Sequence, residues 1–213
     1  MVEGLLQFLD KHGQWMLRAT AQHILLSAGA VFFGALVAIP LGIWLTRHER
    51  IAKIALAVSG TIQTIPSLVF FGLILPVLGI GVLPAMVVLF FYSILPILRN
   101  TYTGIKKIDP AYLEAGTGMG MNSKQLLFMV KLPLALPVII SGVRISLVYI
   151  ISWATLAALI GSGGLGDLII SGLQTYDAQL IVGGAVPAAM LAVLAGYLLG
   201  RLEKALVPRG LRS

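Results

Sequence analysis

DPAYLEAGTGMGMNSKQLLFMVKLP, residues 109–133, is the longest polar interruption in a chain that is otherwise overwhelmingly apolar. Charge-free apolar runs flank it on both sides, and those runs decide the fold class. Only 11% of the 213 residues are charged and 58% are hydrophobic, whereas an ordinary soluble domain carries about 25% charge. A single soluble core of this size needs more polar surface. The runs are continuous rather than alternating, which argues against a β-barrel. The expectation is an all-α, polytopic membrane protein forming one domain over residues 1–213.

A membrane crossing needs about 20 apolar residues. Working outward from the central segment, residues 82–99 and 134–160 flank it as the third and fourth spans. Residues 55–78 precede the third, with Gly79, Gly81 and Pro84 at the hairpin between them. Residues 24–46 form the first span and 178–200 the fifth. Ahead of the first span, Leu5, Leu6, Phe8, Leu9, Trp15, Met16 and Leu17 could lie on the membrane surface as an amphipathic segment. No cleavable signal peptide is expected there. Arg144 falls near the start of the fourth span, where its head can snorkel to the interface.

Basic residues set the orientation. Arg47, Arg50, Lys53, Arg99, Lys106, Lys107, Lys124, Lys131, Arg201, Lys204, Arg209 and Arg212 fall on one side, and Lys11 and Arg18 on the other. The expected topology is five crossings with the N-terminus outside, the C-terminus inside, and loop 100–133 in the cytoplasm. This asymmetry accounts for the net charge of +7 without nucleic acid. The absence of cysteine removes thiol catalysis and Cys-ligated metal.

Enzyme signatures fail. No phosphate loop and no H-E-x-x-H occur, and no metal site is expected. His12, His23 and His48 read as structural or solvated. Residues 161–166, GSGGLG, match G-x-G-x-x-G but follow a span rather than a strand. They read as a glycine turn ending the fourth span. Polar residues inside spans are Gln63, Thr64 and Ser67 around Pro66, then Tyr92, Ser93, Ser146, Tyr149 and Trp153. They fit either interhelical packing or the lining of a pathway, whose aromatic groups would suit a quaternary ammonium solute.

In the central segment, Asp109 before Pro110 is a helix start, and Asn122 or Ser123 can cap a second short helix. A solvated loop and a docking knob both fit that local pattern. The spacing adds more. Glu114-Ala115-Gly116, three residues, Gly120, nine residues, Val130, one residue, Leu132-Pro133 resembles the cytoplasmic EAA loop of bacterial ABC importer permeases. The departures are Gly116 for alanine and Val130 for isoleucine. Residues 60–81, 90–105 and 159–177 are similar to the osmoprotectant branch, whose members import glycine betaine, carnitine or choline.

The resemblance implies a type I ABC importer permease arrangement in the bacterial cytoplasmic membrane. The loop, including Asp109 and Ala111, would dock on ABC ATPase subunits. Glu114 would be a polar contact, Gly120 the turn, and Leu132 and Pro133 the lead into the fourth span. ATP and Mg would sit on the ATPase and none on this chain. The further partners implied are a second permease subunit, identical or homologous, an extracellular solute-binding protein, and membrane lipid. A methionine or other amino-acid importer permease is the nearest alternative. An autonomous channel or secondary transporter, or a non-transporting scaffold, is more distant.

Overall fold

The computed structural model describes residues 2–206, all of whose regular elements are helical. Arg209 and Arg212 lie outside the described residues, as do the side chains of residues 1–7 and Leu9, including Leu5 and Leu6. Nine α-helices follow in order: α1 Val2–Leu45, α2 Glu49–Thr64, α3 Ser67–Leu78, α4 Val82–Lys106, α5 Pro110–Gly118, α6 Ser123–Gln125, α7 Leu132–Ala157, α8 Leu165–Thr175 and α9 Ala178–Leu206. A π-helical run, Leu126–Lys131, joins α6 to α7. The stretch Ser123–Ile160 is thereby one rod of 38 residues, about 57 Å long at the helical rise.

Among the described residues, four helices are long and apolar enough to cross a membrane: Asp10–Leu45, Val82–Lys106, Ser123–Ile160 and Ala178–Leu206. The fifth candidate is a bent pair, α2 and α3, which meet at 96°. The expected second span, 55–78, is therefore not one straight rod. Pro66 has no N–H to donate and forces the preceding Ile65 out of helical geometry, to ψ 124°. Tyr92 on α4 repairs the break. Its hydroxyl donates to the Ile65 carbonyl, while Gln63 Nε2 donates to the Tyr92 carbonyl at 3.1 Å. An unpaired buried carbonyl would cost about 1–3 kcal/mol.

The N-terminal segment also differs from expectation. It does not separate as a surface helix but continues α1, because no proline interrupts residues 2–39. Phe8 is buried, with Trp15 and Met16 packed beside it, against Leu165 and Leu168 of α8 and Leu180 and Ala188 of α9. The main core joins α1, α4 and α7 with the inner faces of α2 and α3 around Leu45, Phe71, Leu89, Tyr92 and Ile150. A third cluster, Ile105, Ala135 and Ile139, lies where α4 and α7 run on toward the central segment.

Helix registers place the basic ends together. A Cβ on Gly42 would lie 2.8 Å from Thr101, and one on Gly142 would lie 2.6 Å from Asn100 Cβ. Arg144 does not simply snorkel. Its Nη1 reaches Glu203 Oε2 of α9 at 3.1 Å, passing over Gly200, where a Cβ would sit 2.8 Å from the same nitrogen. The pair ties α7 to α9 with both side chains still partly in contact with solvent, so its contribution is modest.

Candidate functional site

The central segment folds as a helical hairpin. Asp109 Oδ1 accepts the Ala111 N–H at 2.9 Å, and Pro110 occupies the first turn. α5 ends at Gly118. Gly120 then takes φ +79°, a left-handed conformation that favours glycine. Asn122 closes the turn with a capping box. Its side chain accepts from Lys124 and Gln125 N–H, and Gln125 Oε1 accepts the Asn122 N–H at 2.9 Å.

Gly116 explains itself in this setting. It is the buried residue of α5. A Cβ there would come 2.7 Å from Leu126 Cδ1 and 3.7 Å from Val130 Cγ2. The missing methyl lets the π-helical run seat against α5, so glycine tightens the hairpin rather than loosening it. An open cleft of about 440 Å³, lined by Asn100, Lys107, Tyr112 and Val138 among others, separates the hairpin's root from α4 and α7.

The outer surface of the hairpin carries exposed apolar side chains among polar ones. Met119, Phe128 and Met129 are 71%, 65% and 63% exposed. Glu114 and Ala115 are exposed on the same short helix, and Glu114 makes no ion pair among the described residues. Val130 and Leu132 are half-buried and Pro133 is exposed where the hairpin enters α7. The structure thus brings Asp109, Ala111, Glu114, Ala115, Gly116, Gly120, Val130, Leu132 and Pro133 into one projecting unit.

The intramembrane polar residues separate into two groups. Ser93 and Ser146 are buried at 0% and 1% exposure. Ser146 Oγ donates to the Ser93 carbonyl at 3.0 Å, and Ser93 Oγ donates to the Phe90 carbonyl at 2.7 Å. They join helices within the chain, which is the interhelical-packing reading of these two residues. Gln63 and Tyr92 are committed to the α2–α3 break. Thr64 is exposed, with its hydroxyl bonded to the Thr61 carbonyl, and Ser67 is half-buried at the start of α3. Tyr149 is 50% exposed and Trp153 partly so.

Residues 161–166 carry no nucleotide-binding geometry. Gly161, at φ 75° and ψ 27°, caps the end of the fourth span. Its N–H donates to the Ala158 carbonyl at 2.9 Å. The turn is then held from α1, which sequence reasoning missed. Gln22 Oε1 accepts the Gly164 N–H at 3.2 Å. His23 is fully buried, with Nε2 2.9 Å from the Ile151 carbonyl. The sequence signal was the adjacent polar pair Gln22-His23 entering an apolar run, but nothing local names a partner some 140 residues away.

Asp167, in the first turn of α8, is half-buried. Burial pushes its carboxyl above the usual carboxylate range. With the folded-state pKa above the unfolded one, the penalty is absent below the unfolded pKa. It grows through the window between the two values and is complete above the folded value. Asp167→Asn is therefore expected to raise the melting temperature at neutral pH and to leave it nearly unchanged in acid. Thermal unfolding of the detergent-solubilised protein across a pH series checks this; an equal effect at every pH would refute it.

Known proteins share this arrangement. A family model described as "binding-protein-dependent transport system inner membrane component" matches residues 38–212. The choline transport system permease protein OpuBB of Bacillus subtilis is 48% identical over 98% of this chain and 96% of that protein. The carnitine transport permease protein OpuCB of Listeria monocytogenes is 44% identical over 100% of this chain and 97% of that protein. Among solved structures, a chain of the MetNI methionine ABC transporter in inward-facing conformations has a TM-score of 0.81. It is 23% identical, covering 91% of this chain and 97% of that one.

Proposed function

Since the chain belongs to the family of binding-protein-dependent transport system inner membrane components, we propose that it is the permease subunit of an ATP-driven importer of quaternary-ammonium osmoprotectants. The solutes are glycine betaine, carnitine and choline. The observation that carries this reading is near-full-length identity of 44–48% to permeases named for choline and carnitine. The methionine alternative retains only the likeness of fold, at 23% identity.

The mechanism follows from the hairpin. The basic end of the bundle faces the cytoplasm, so residues 109–133 project toward ATPase subunits that bind ATP and Mg. Met119, Phe128 and Met129 supply apolar contact, and Glu114 a polar one. A second permease subunit completes the pathway, and an external binding protein delivers solute at the opposite end. ATP-driven closure of the ATPases moves the hairpins, and the hairpins move the helices that bear them. This chain supplies no hydrolytic group.

Proteoliposomes test the assignment. With co-purified ATPase, partner permease and binding protein, labelled choline, glycine betaine or carnitine should accumulate only when ATP is enclosed on the hairpin side. The chain alone should hydrolyse no ATP. Solute flux through liposomes holding only this chain would instead establish a channel, and uptake of methionine alone would move the assignment to the amino-acid branch.

A further inference from the structure

The bundle holds an aromatic group that packing does not wholly consume. Trp153 on α7 lies 4.5 Å from Tyr92 and 5.9 Å from Tyr149, measured between ring centroids. Phe70 of α3 stands edge-on to Tyr92 at 5.6 Å. Tyr92 is 1% exposed and forms the back of the group, whereas Tyr149 is 50% exposed at its front. The Tyr149 and Trp153 planes differ by 32°, so they offer adjoining faces. Along the helix, Trp153 stands roughly 13 Å from Arg144 and roughly 10 Å from Ile160, in the half of the crossing away from the central hairpin.

A second, independent feature meets this group. The carbonyl end of α2 stops beside Tyr92, which bonds to both Ile65 and Gln63 across the 96° break. A helix C-terminus carries partial negative charge, and interrupted helices at the midplane serve membrane transporters as binding elements. Residues 54–98 and 145–166 contain no Asp, Glu, Lys or Arg. Tyr149 shares an open pocket with Arg144, whose charge is paired with Glu203, so a cation arriving here meets π faces and carbonyl dipoles but no unpaired carboxylate.

That set of groups selects one chemistry. A quaternary ammonium has no N–H to donate and cannot shed its charge, so hydrogen-bond acceptors alone do not recognise it. Aromatic faces do, most strongly indole. Without an unpaired carboxylate the site stays weak, as a site that must release its occupant requires. We propose that Tyr149 and Trp153, backed by Tyr92 beside the α2–α3 break, form a transient subsite for the quaternary-ammonium head of the solute in passage. This rests on the osmoprotectant reading and adds a recognition element in the permease itself.

Two measurements on the complete assembly test it. Trp153→Leu should lower choline uptake at least tenfold, and Trp153→Phe should restore it to within about threefold of the unsubstituted protein. Separately, Trp15→Phe and Trp44→Phe leave Trp153 as the single tryptophan of the chain's three. In the assembly lacking binding protein, with the other subunits stripped of tryptophan, choline should change its fluorescence saturably. The neutral isostere 3,3-dimethyl-1-butanol should change it several-fold less. Equal uptake by the Leu and Phe variants, or equal responses to choline and the isostere, would overturn the subsite. Failure of the unsubstituted assembly to take up any quaternary-ammonium solute would instead overturn the osmoprotectant reading, and the subsite with it.

Discussion

Gly166→Ala is expected to prevent recovery of folded protein. Gly166 opens α8 against the end of the fourth span. A Cβ built there falls 2.1 Å from the Thr155 carbonyl oxygen, 2.8 Å from its carbon and 2.7 Å from Ala158 Cβ. The obstructing atoms are mainly backbone, so no rotamer change relieves the clash. Overpacking a dense interior costs about 1–3 kcal/mol and more where backbone must move, against a total stability of about 5–15 kcal/mol. The expected cost lies above about 3 kcal/mol. Gly13→Ala is the control, because nothing lies within 4 Å of its Cβ position. Monodisperse yield and melting temperature should collapse for the first variant and hold for the second. Matching values for the two variants would show that α8 can shift away from α7.

Glu114→Arg is expected to lower ATP-dependent uptake at least tenfold without changing the yield of folded permease. The side chain is exposed and makes no ion pair among the described residues, so their packing does not depend on it. Loss of one partner from a buried interfacial charge pair costs about 2–5 kcal/mol, and each 1.36 kcal/mol is about a factor of ten in rate or equilibrium. Reversing the charge should cost at least as much at an ATPase contact. Glu114→Gln should fall between. Adding Gly120→Pro removes the φ +79° turn, which proline cannot adopt. Normal uptake by this double variant would exclude the hairpin from energy transfer.

The features legible in advance were those written in local sequence. Long charge-free runs marked the membrane helices, Asp109-Pro110 marked a helix start, and Gly161 marked a helix end. Asn122 was one of two cap candidates, and Gln125 three residues on completes the box. What escaped depended on partners far away in the chain. Pro66 announced a disturbance, but only Tyr92 and Gln63 make a 96° corner tolerable in a bilayer. Arg144 looked like a snorkelling residue until α9 brought Glu203 to it. Gly116 was a bare departure from the alanine of the resembled loop until Leu126 was seen in the space it leaves. Within the candidate pathway, composition could not separate Ser146, buried at a helix crossing, from Tyr149 three residues later and half-exposed.

The rod from Ser123 to Ile160 is continuous, and Gly142 lets it lie close to α4, with a built Cβ 2.6 Å from Asn100 Cβ. Were the rod to rock, a crossing that close would serve as its fulcrum. From it the arm toward the hairpin measures about 28 Å, and the arm toward Trp153 about 16 Å, at 1.5 Å per residue. Rotation about this point therefore trades distance for force. A shift of about 3 Å imposed at the hairpin arrives as just under about 2 Å at the aromatic residues, with the thrust multiplied about 1.7-fold. Gearing of that sense suits a short, forceful stroke that must part packed side chains.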